Sequence, residues 1–240
     1  MNNNFLQNCT EEGNNDESGI TRPTPGFLGV SQKYIDAMDK ISGGWKIILE
    51  GLHDAYGLNC HDPNFIETPD RIAKMMVLET CSGINSEDEC RKILSKSFPA
   101  MGQQQADQLL IVANPHLCFS ICPHHFSTVA YKVWISYVPD KDFIGVSKFS
   151  RCAEIFARQP ILQESYVSGL ADIIYSSLKP KGVAVIAKAV HFCMVSRGAK
   201  TNPNSEMVSS SLRGCFVESN IGHHWKSEFI SLCNGLNTHE

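Results

Sequence analysis

The sequence predicts an α+β fold in which four antiparallel strands and two helices follow one another as ββααββ, after a helical N-terminal region. Three observations predict it. Residues 129–137 alternate apolar and polar side chains with period two, as a half-buried strand does. Residues 147–157 and 162–178 then return to helical spacing. Two further strand-like runs follow at 182–195 and 207–217.

The N-terminal part of the chain has two different compositions. Residues 1–26 are rich in Asn, Glu, Gly, Thr and Pro and contain few large apolar groups. Such a segment cannot offset the entropy lost on ordering, so we expect a disordered tail. Residues 27–105 are predicted to form a helical region, and residues 106–240 the region that contains the sheet.

Helix signals are clear within the helical region. Apolar residues recur at helix spacing over 31–56, and the glycines at 43 and 44 interrupt them, which predicts two helices or one broken helix. A second helix begins with Thr68 as N-cap and Pro69 at the first helical position. It is expected to end near residues 82–83.

The sheet has exposed edges. The strand over 129–137 stops at Pro139, and the apolar run at 109–112 is predicted as its hairpin partner. Four antiparallel strands covered by two helices leave two open edges, and long apolar edges invite aggregation. Pairing between subunits closes them economically, so the sequence favours a homo-oligomer, although short or charged edges could also protect a monomer.

Composition excludes several classes of protein. Lys and Arg total 21 against 25 Asp and Glu, a net charge of −4, so the basic excess of a nucleic-acid-binding protein is missing. No apolar run approaches the roughly 20 residues of a membrane span. The N-terminus lacks the basic and apolar regions of a secretory signal, so we expect a cytoplasmic protein. The ten cysteines are scattered, and in a reducing compartment we expect a few ligands or nucleophiles among mostly core residues.

A candidate metal site combines two short motifs. Cys122 and His125 lie three residues apart, a spacing at which both can reach one cation. His191 and Cys193 lie two apart, and residues two apart in a strand face the same side. Cys122, His125 and Cys193 would make a Cys2His zinc site with an open fourth position, as catalytic zinc sites have. Cys118 is a rival ligand, and a cysteine in an apolar strand is more often a small core residue.

Two further histidines, His124 and His191, lie beside the candidate ligands. Imidazoles that are not ligands suit proton transfer near pH 7 when they stand next to an activated water. The alternative is that each only supports the ligands through a hydrogen bond.

A second group of residues suits an anion. Ser147, Lys148 and Arg151 open a helix, where backbone N–H groups and the helix dipole favour phosphate. Arg197 follows the Cys193 segment at a turn. The alternative interpretation is a solvated basic rim.

The next helix starts with an amide and a carboxylate, Gln163 and Glu164. Together they could recognise a purine edge, with the carboxylate accepting from the exocyclic amine and the ring N–H. They could also simply cap the helix.

Five ordered blocks of this sequence together resemble GTP cyclohydrolase I. The similarity covers roughly residues 31–233, everything but the N-terminal tail. The blocks are the helix start at 68–75, Cys122 with His124 and His125, residues 145–151, Gln163 with Glu164, and residues 191–198.

The resemblance implies a tunnelling fold (T-fold) assembled as pentameric barrels, two of which stack into a homodecamer with active sites at subunit interfaces. It implies one zinc ion per subunit on Cys122, His125 and Cys193, and it removes Cys118 from the ligand set. It assigns His124, His191 and Ser147 to catalysis. The substrate-binding residues it implies are Gln163 and Glu164 for guanine, with Lys148, Arg151, Arg197 and Arg71 alongside Ser147 for the triphosphate and ribose.

The implied reaction converts GTP and water to 7,8-dihydroneopterin triphosphate and formate. Water adds to C8 of guanine while His191 protonates the neighbouring ring nitrogen, the imidazole ring opens to a formamide, and a second hydrolysis releases formate. His124 serves the proton transfers that open the ribose before rearrangement and ring closure. The product would feed pterin and tetrahydrofolate or 7-deazapurine biosynthesis.

The sequence departs from the family pattern at Pro123, where relatives usually carry Glu. Proline removes a carboxylate and a backbone N–H and fixes φ. Ser165 also replaces a residue that is commonly basic. Two alternatives therefore stay open: an altered purine-ring hydrolase with a partial or different product, and a catalytically weak regulatory paralogue. The presence of every predicted ligand and guanine contact argues against the paralogue.

Overall fold

The structure is a computed structural model, and the chain divides into two units, Met1–Ser82 and Gly83–Glu240. The tail predicted over residues 1–26 lies outside the described residues, and so does the boundary predicted between residues 105 and 106. Within the described part of the chain, no helix is long and apolar enough to cross a membrane. The structure describes residues 30–99, 110–111, 116–218 and 222–236.

The first unit contains a long helix, α1 (Gln32–Tyr56), which runs without a break through the two glycines. Each glycine costs a helix only about 1 kcal/mol relative to alanine, which a helix of this length tolerates. The helix ends at Gly57, whose positive φ of 70° suits glycine and whose N–H donates to the carbonyl of His53.

Helix α2 (Thr68–Met75) follows in the same unit and continues as one π-helical turn, Met76–Thr80. Thr68 is the first helical residue rather than the cap, and the helical stretch ends close to the predicted position. Ser42 of α1 donates a hydrogen bond to Asp70 of α2 at 2.6 Å, which ties the two helices together.

The second unit is built on a five-stranded antiparallel sheet. Strand β4 is central, with β2 and β3 paired to successive parts of its one side and β6, then β7, on the other. The predicted antiparallel ββααββ order is therefore confirmed. The five strands are β2 (Leu110–Ile111), β3 (His116–Cys122), β4 (Ser127–Val138), β6 (Gly182–His191) and β7 (Met207–Gly214).

Two strand predictions need correction. Residues 110–111 of the run predicted at 109–112 do pair with β4, but the main hairpin partner is β3, which the sequence pattern did not predict. The strand predicted over 182–195 stops at His191, and the next four residues form a single helical turn, α6 (Phe192–Val195). The prediction that His191 and Cys193 face the same side as strand residues two apart therefore does not apply, because Cys193 lies in α6.

Helices cover both faces of the sheet. The odd-numbered residues 129–137 of β4 pack against α4 (Ser147–Ala157) and α5 (Gln163–Leu178) in the main core. The rings of Tyr131 and Tyr166 stack there at 4.8 Å between centroids. A smaller cluster on the other face joins Trp134 to the C-terminal helix α7 (Gly222–Leu236).

Short elements complete this unit. Helix α3 (Glu87–Leu94) packs against α4 and α5. A two-stranded ladder joins β1 (Ser97–Pro99) to β5 (Asp142–Ile144), and β5 lies just before α4 in sequence.

Gly83 allows a close backbone approach before α3. Its N–H donates to the carbonyl of Arg158 at 2.7 Å, and a Cβ at this position would collide with the carbonyl oxygen of Ile155. We expect Gly83→Ala to lower the free energy of unfolding by about 1–3 kcal/mol, measured by urea denaturation. Gly44→Ala is the matched control, since a Cβ there meets open space in a helix; a control as damaging as Gly83→Ala would contradict the steric explanation.

Candidate metal and purine site

The first part of the site is the turn that joins β3 to β4. Cys122 is the last residue of β3, is buried, and pairs with Ser127 across the turn. The N–H of Phe126 donates to the Cys122 carbonyl at 2.9 Å and closes the turn. His124 and His125 are exposed on it, and Nδ1 of His124 lies 3.8 Å from the Cys122 sulfur.

The second part is the end of β6. His191 pairs with Val129, near the start of β4, so the ends of β3 and β6 flank the same stretch of the central strand. The helical turn α6 then turns Cys193 inward, where it is 8% exposed.

These two parts bring together one imidazole and two thiols. The ligand atoms of Cys122, His191 and Cys193 all lie within 4.8 Å of one another, the one such group among the described residues. Two thiolates and an imidazole with a fourth position left over are donors that fit zinc. His125, predicted from its spacing, is not a member of this group.

The Cys122 thiol and Arg197 both affect the pKa of Cys193. Burial raises the pKa of Cys193, and the neighbouring Cys122 thiol raises it further. The charge of Arg197 opposes both effects, so this exposed guanidinium lies within electrostatic range of the cluster. A bound metal cation would displace the protons of these thiols, because cysteine binds metals as the thiolate.

Cys118, the rival ligand, is a core residue. It is 1% exposed, and burial raises its pKa to about 12, so it stays a neutral thiol. Its side chain interacts with Tyr166 and does not join the cluster.

The segment between α4 and α5 brings the start of α5 to the same place. The N–H of Ile121 donates to the Gln159 carbonyl at 3.2 Å, and the N–H of Ile161 donates to the Ile121 carbonyl at 3.0 Å. Because Ile121 precedes Cys122, these two bonds hold the segment that leads into Gln163 and Glu164 next to the end of β3.

Gln163 and Glu164 differ in exposure. The Gln163 side chain is 1% exposed, and its amide donates to the carbonyls of Ala187 at 3.1 Å and Met207 at 3.0 Å. Its Oε1 lies 2.9 Å from Nε2 of His191. Glu164 is exposed, and its charge raises the pKa of His191, against burial, which has the larger effect and lowers it.

Three of the predicted anion-binding residues, Ser147, Lys148 and Arg151, lie toward the other end of α4. Ser147 and Lys148 begin that helix near Tyr137, whose hydroxyl accepts from the N–H of Ile144 at 3.3 Å. Arg151 follows on the exposed side. At 1.5 Å per residue, α4 separates this group from the thiol end by about 16 Å.

Lys148 has an unusual environment. Its ammonium is shielded from solvent and has no hydrogen-bond partner among the described residues. It lies 5.5 Å from the centroid of the Phe98 ring, a cation–π contact. Sequence reasoning missed Phe98, since only the short ladder of β1 and β5 brings it there.

Arg71, the remaining predicted residue, belongs to the first unit. It lies on α2 and pairs with Glu67 at 3.7 Å, with both side chains mostly exposed. A pair of this kind contributes little to stability, so the guanidinium can exchange partners.

Comparison with known proteins identifies the family. The sequence model of GTP cyclohydrolase I matches residues 46–234. This chain belongs to the GTP cyclohydrolase I family. All the site residues described above lie within the matched span of this family member.

Curated relatives agree with this assignment. "GTP cyclohydrolase 1" of Clostridium perfringens is 36% identical over 180 residues, which cover 75% of this chain and 90% of the relative. The Neurospora crassa protein of the same name is 33% identical over 90% of this chain and 66% of its own length. The Sulfurihydrogenibium protein is 32% identical over 82% of this chain and 95% of its own.

Proposed function

We propose that this protein is a zinc-dependent GTP cyclohydrolase I that converts GTP and water to 7,8-dihydroneopterin triphosphate and formate. The observation that supports it best is the cluster of Cys122, His191 and Cys193 beside Glu164, in a chain of this family. The two alternatives, an altered purine-ring hydrolase and a regulatory paralogue, are not favoured by these comparisons.

The test is incubation of the zinc-loaded protein with GTP and measurement of formate. We expect formate to accumulate only with GTP and only with the metal present. Zinc-loaded protein that releases none would contradict the proposal.

Zinc would be held by Cys122, His125 and Cys193. His125 stands three residues after Cys122 on an exposed turn, a spacing at which both can reach one cation, and the resemblance assigns His191 to proton transfer instead. When bound, the ion supplies Lewis-acid chemistry that activates water as a nucleophile.

The ligand assignment yields a testable difference. His125→Ala is expected to lose stoichiometric zinc, because it removes one of three ligands. His191→Ala is expected to keep zinc and lose turnover. Zinc content after gel filtration, measured by mass spectrometry, separates the two variants, and the reverse pattern would make His191 the ligand.

The remaining residues of the cluster bind the base and move protons. The exposed carboxylate of Glu164 is free to accept hydrogen bonds from the N–H groups of guanine. His191 donates the proton that the purine nitrogen takes when the ring opens. His124, beside the Cys122 sulfur, serves the later proton transfers at the ribose.

The triphosphate would bind at the start of α4. The Lys148 ammonium, shielded and without a hydrogen-bond partner in the described residues, has donors left for an anion, and Ser147 and Arg151 lie on the same helical turn. Arg197 and Arg71 would add charge from elsewhere.

A complete site would be assembled between copies of the chain. The thiol cluster and the Lys148 group lie at opposite ends of α4, and among the described strands β7 pairs only with β6, which leaves its other edge for a second subunit. We propose a homodecamer of two pentamers with inter-subunit active sites, located in the cytoplasm and supplying pterin, tetrahydrofolate or 7-deazapurine synthesis.

Substitution of Pro123 tests whether the turn between β3 and β4 requires proline. It is exposed between Cys122 and His124, so a longer side chain fits there. We expect Pro123→Glu to keep or raise kcat, because it adds a carboxylate beside the proton-transfer residues. Steady-state kinetics with GTP measures this, with Pro123→Ala as the control for backbone freedom. A large loss of activity with full zinc content would mean that the turn requires proline.

A further inference from the structure

The amide of Gln163 is held on all sides within the second unit. Its nitrogen Nε2 lies within hydrogen-bond distance of two carbonyl oxygens, those of Ala187 on β6 and Met207 on β7. The third contact joins its oxygen to His191 at 2.9 Å. Gln163 is only 1% exposed, so its amide group makes these three hydrogen bonds within the protein instead of with water.

These contacts determine which atom carries each proton. A backbone carbonyl can only accept, so the two N–H groups of the amide must point at Ala187 and Met207. The amide oxygen therefore faces His191, and since an amide oxygen can only accept, Nε2 of His191 must donate. The neutral ring is thus protonated at Nε2, which leaves Nδ1 as the nitrogen that can gain or lose a proton.

We propose that Gln163 is a positioning residue that fixes the orientation and tautomer of His191, instead of contacting guanine. The bond from Nε2–H to Gln163 sets the direction of the ring and leaves Nδ1 as the ring nitrogen that faces away from Gln163.

This proposal gives different roles to Gln163 and Glu164, the two residues predicted to bind guanine. The Gln163 amide is buried and fully engaged, whereas the Glu164 carboxylate next to it is exposed. Base recognition then falls to Glu164, and Gln163 acts through His191. The catalytic consequence rests on the proposed function, but the tautomer of His191 does not.

The kinetic test compares the two neighbours. Gln163→Leu is expected to lower kcat about 10- to 100-fold, the effect of removing a group that only orients a catalytic one, with KM for GTP changed less than about threefold. Gln163→Glu keeps an oxygen for His191 and should recover part of the lost kcat. The comparison variant Glu164→Gln is expected to raise KM. An increase of KM with unchanged kcat in Gln163→Leu would make it a guanine contact and overturn the proposal.

A second measurement needs neither turnover nor a Gln163 variant. Nitrogen-15 spectra of the histidine-labelled full-length protein, recorded at alkaline pH where imidazoles are neutral, report which ring nitrogen carries the proton. The His191→Ala protein identifies the signals. We expect Nε2–H for His191 in the wild-type protein with and without zinc. Nδ1–H would overturn the proposal, whereas Nε2–H in a protein that does not release formate would contradict only the proposed function.

Discussion

Cys193→Ala is expected to abolish zinc binding and to reduce formate release at least about a hundredfold, since changes to groups that merely orient a metal ligand already cost about 10- to 100-fold. The residue projects from the helical turn α6 into the thiol cluster, and alanine has good helix propensity, so the fold should tolerate the change. Zinc content, formate release and the elution volume on gel filtration measure the three effects.

Cys118→Ala is the matched control. It removes a thiol of similar burial from β3 that lies outside the cluster. We expect this variant to retain zinc even if its stability falls. Stoichiometric zinc in Cys193→Ala would contradict the ligand assignment.

Two inactive variants are expected to restore each other. Lys148→Ala and Cys193→Ala damage opposite ends of α4, so if each active site combines the thiol end of one subunit with the Lys148 end of another, mixed oligomers contain intact sites. Random mixing of equal amounts leaves about a quarter of the sites with both halves intact, so co-expression should return about a quarter of wild-type activity.

The control pairs two variants from the same end, Cys122→Ala with Cys193→Ala. Cys122 and Cys193 belong to the thiol cluster of the same subunit. Every subunit in the mixture therefore lacks one of the two thiols, so no site has both and activity should stay absent. Mixed Lys148→Ala and Cys193→Ala oligomers, verified by two affinity tags, that remain inactive would contradict an inter-subunit site.

The sheet and its two helices follow from local patterns that tertiary structure did not override. The odd-numbered residues 129–137 of β4 face the main core with α4 and α5, as the alternation predicted, and α4 begins and ends at the predicted residues, 147 and 157. Strand β3 was missed because Leu117 and Phe119, two of its large apolar residues, are exposed while Cys118 and Ser120 face the core. Because the larger apolar residues of this strand point to solvent, its apolar pattern does not indicate which face is buried.

The site was only partly predictable for a related reason. Spacing and resemblance both pointed to Cys122 and Cys193, and these sulfurs do lie together. The proximity of His191 to them follows from the strand register and from the turn α6, which alternation did not predict. The bonds of Gln163 to β6 and β7 connect residues 24 and 44 positions apart, so no local pattern could have predicted them.

The ratio of formate to pterin tests the central claim most directly. Zinc-loaded protein is mixed with a limiting amount of GTP, and formate and oxidised, fluorescent pterin are measured in the same sample. A cyclohydrolase that completes ring opening, formate release and ring closure produces equal amounts of the two. Formate without pterin would contradict this, because it would mean that the reaction stops after the purine ring has been opened.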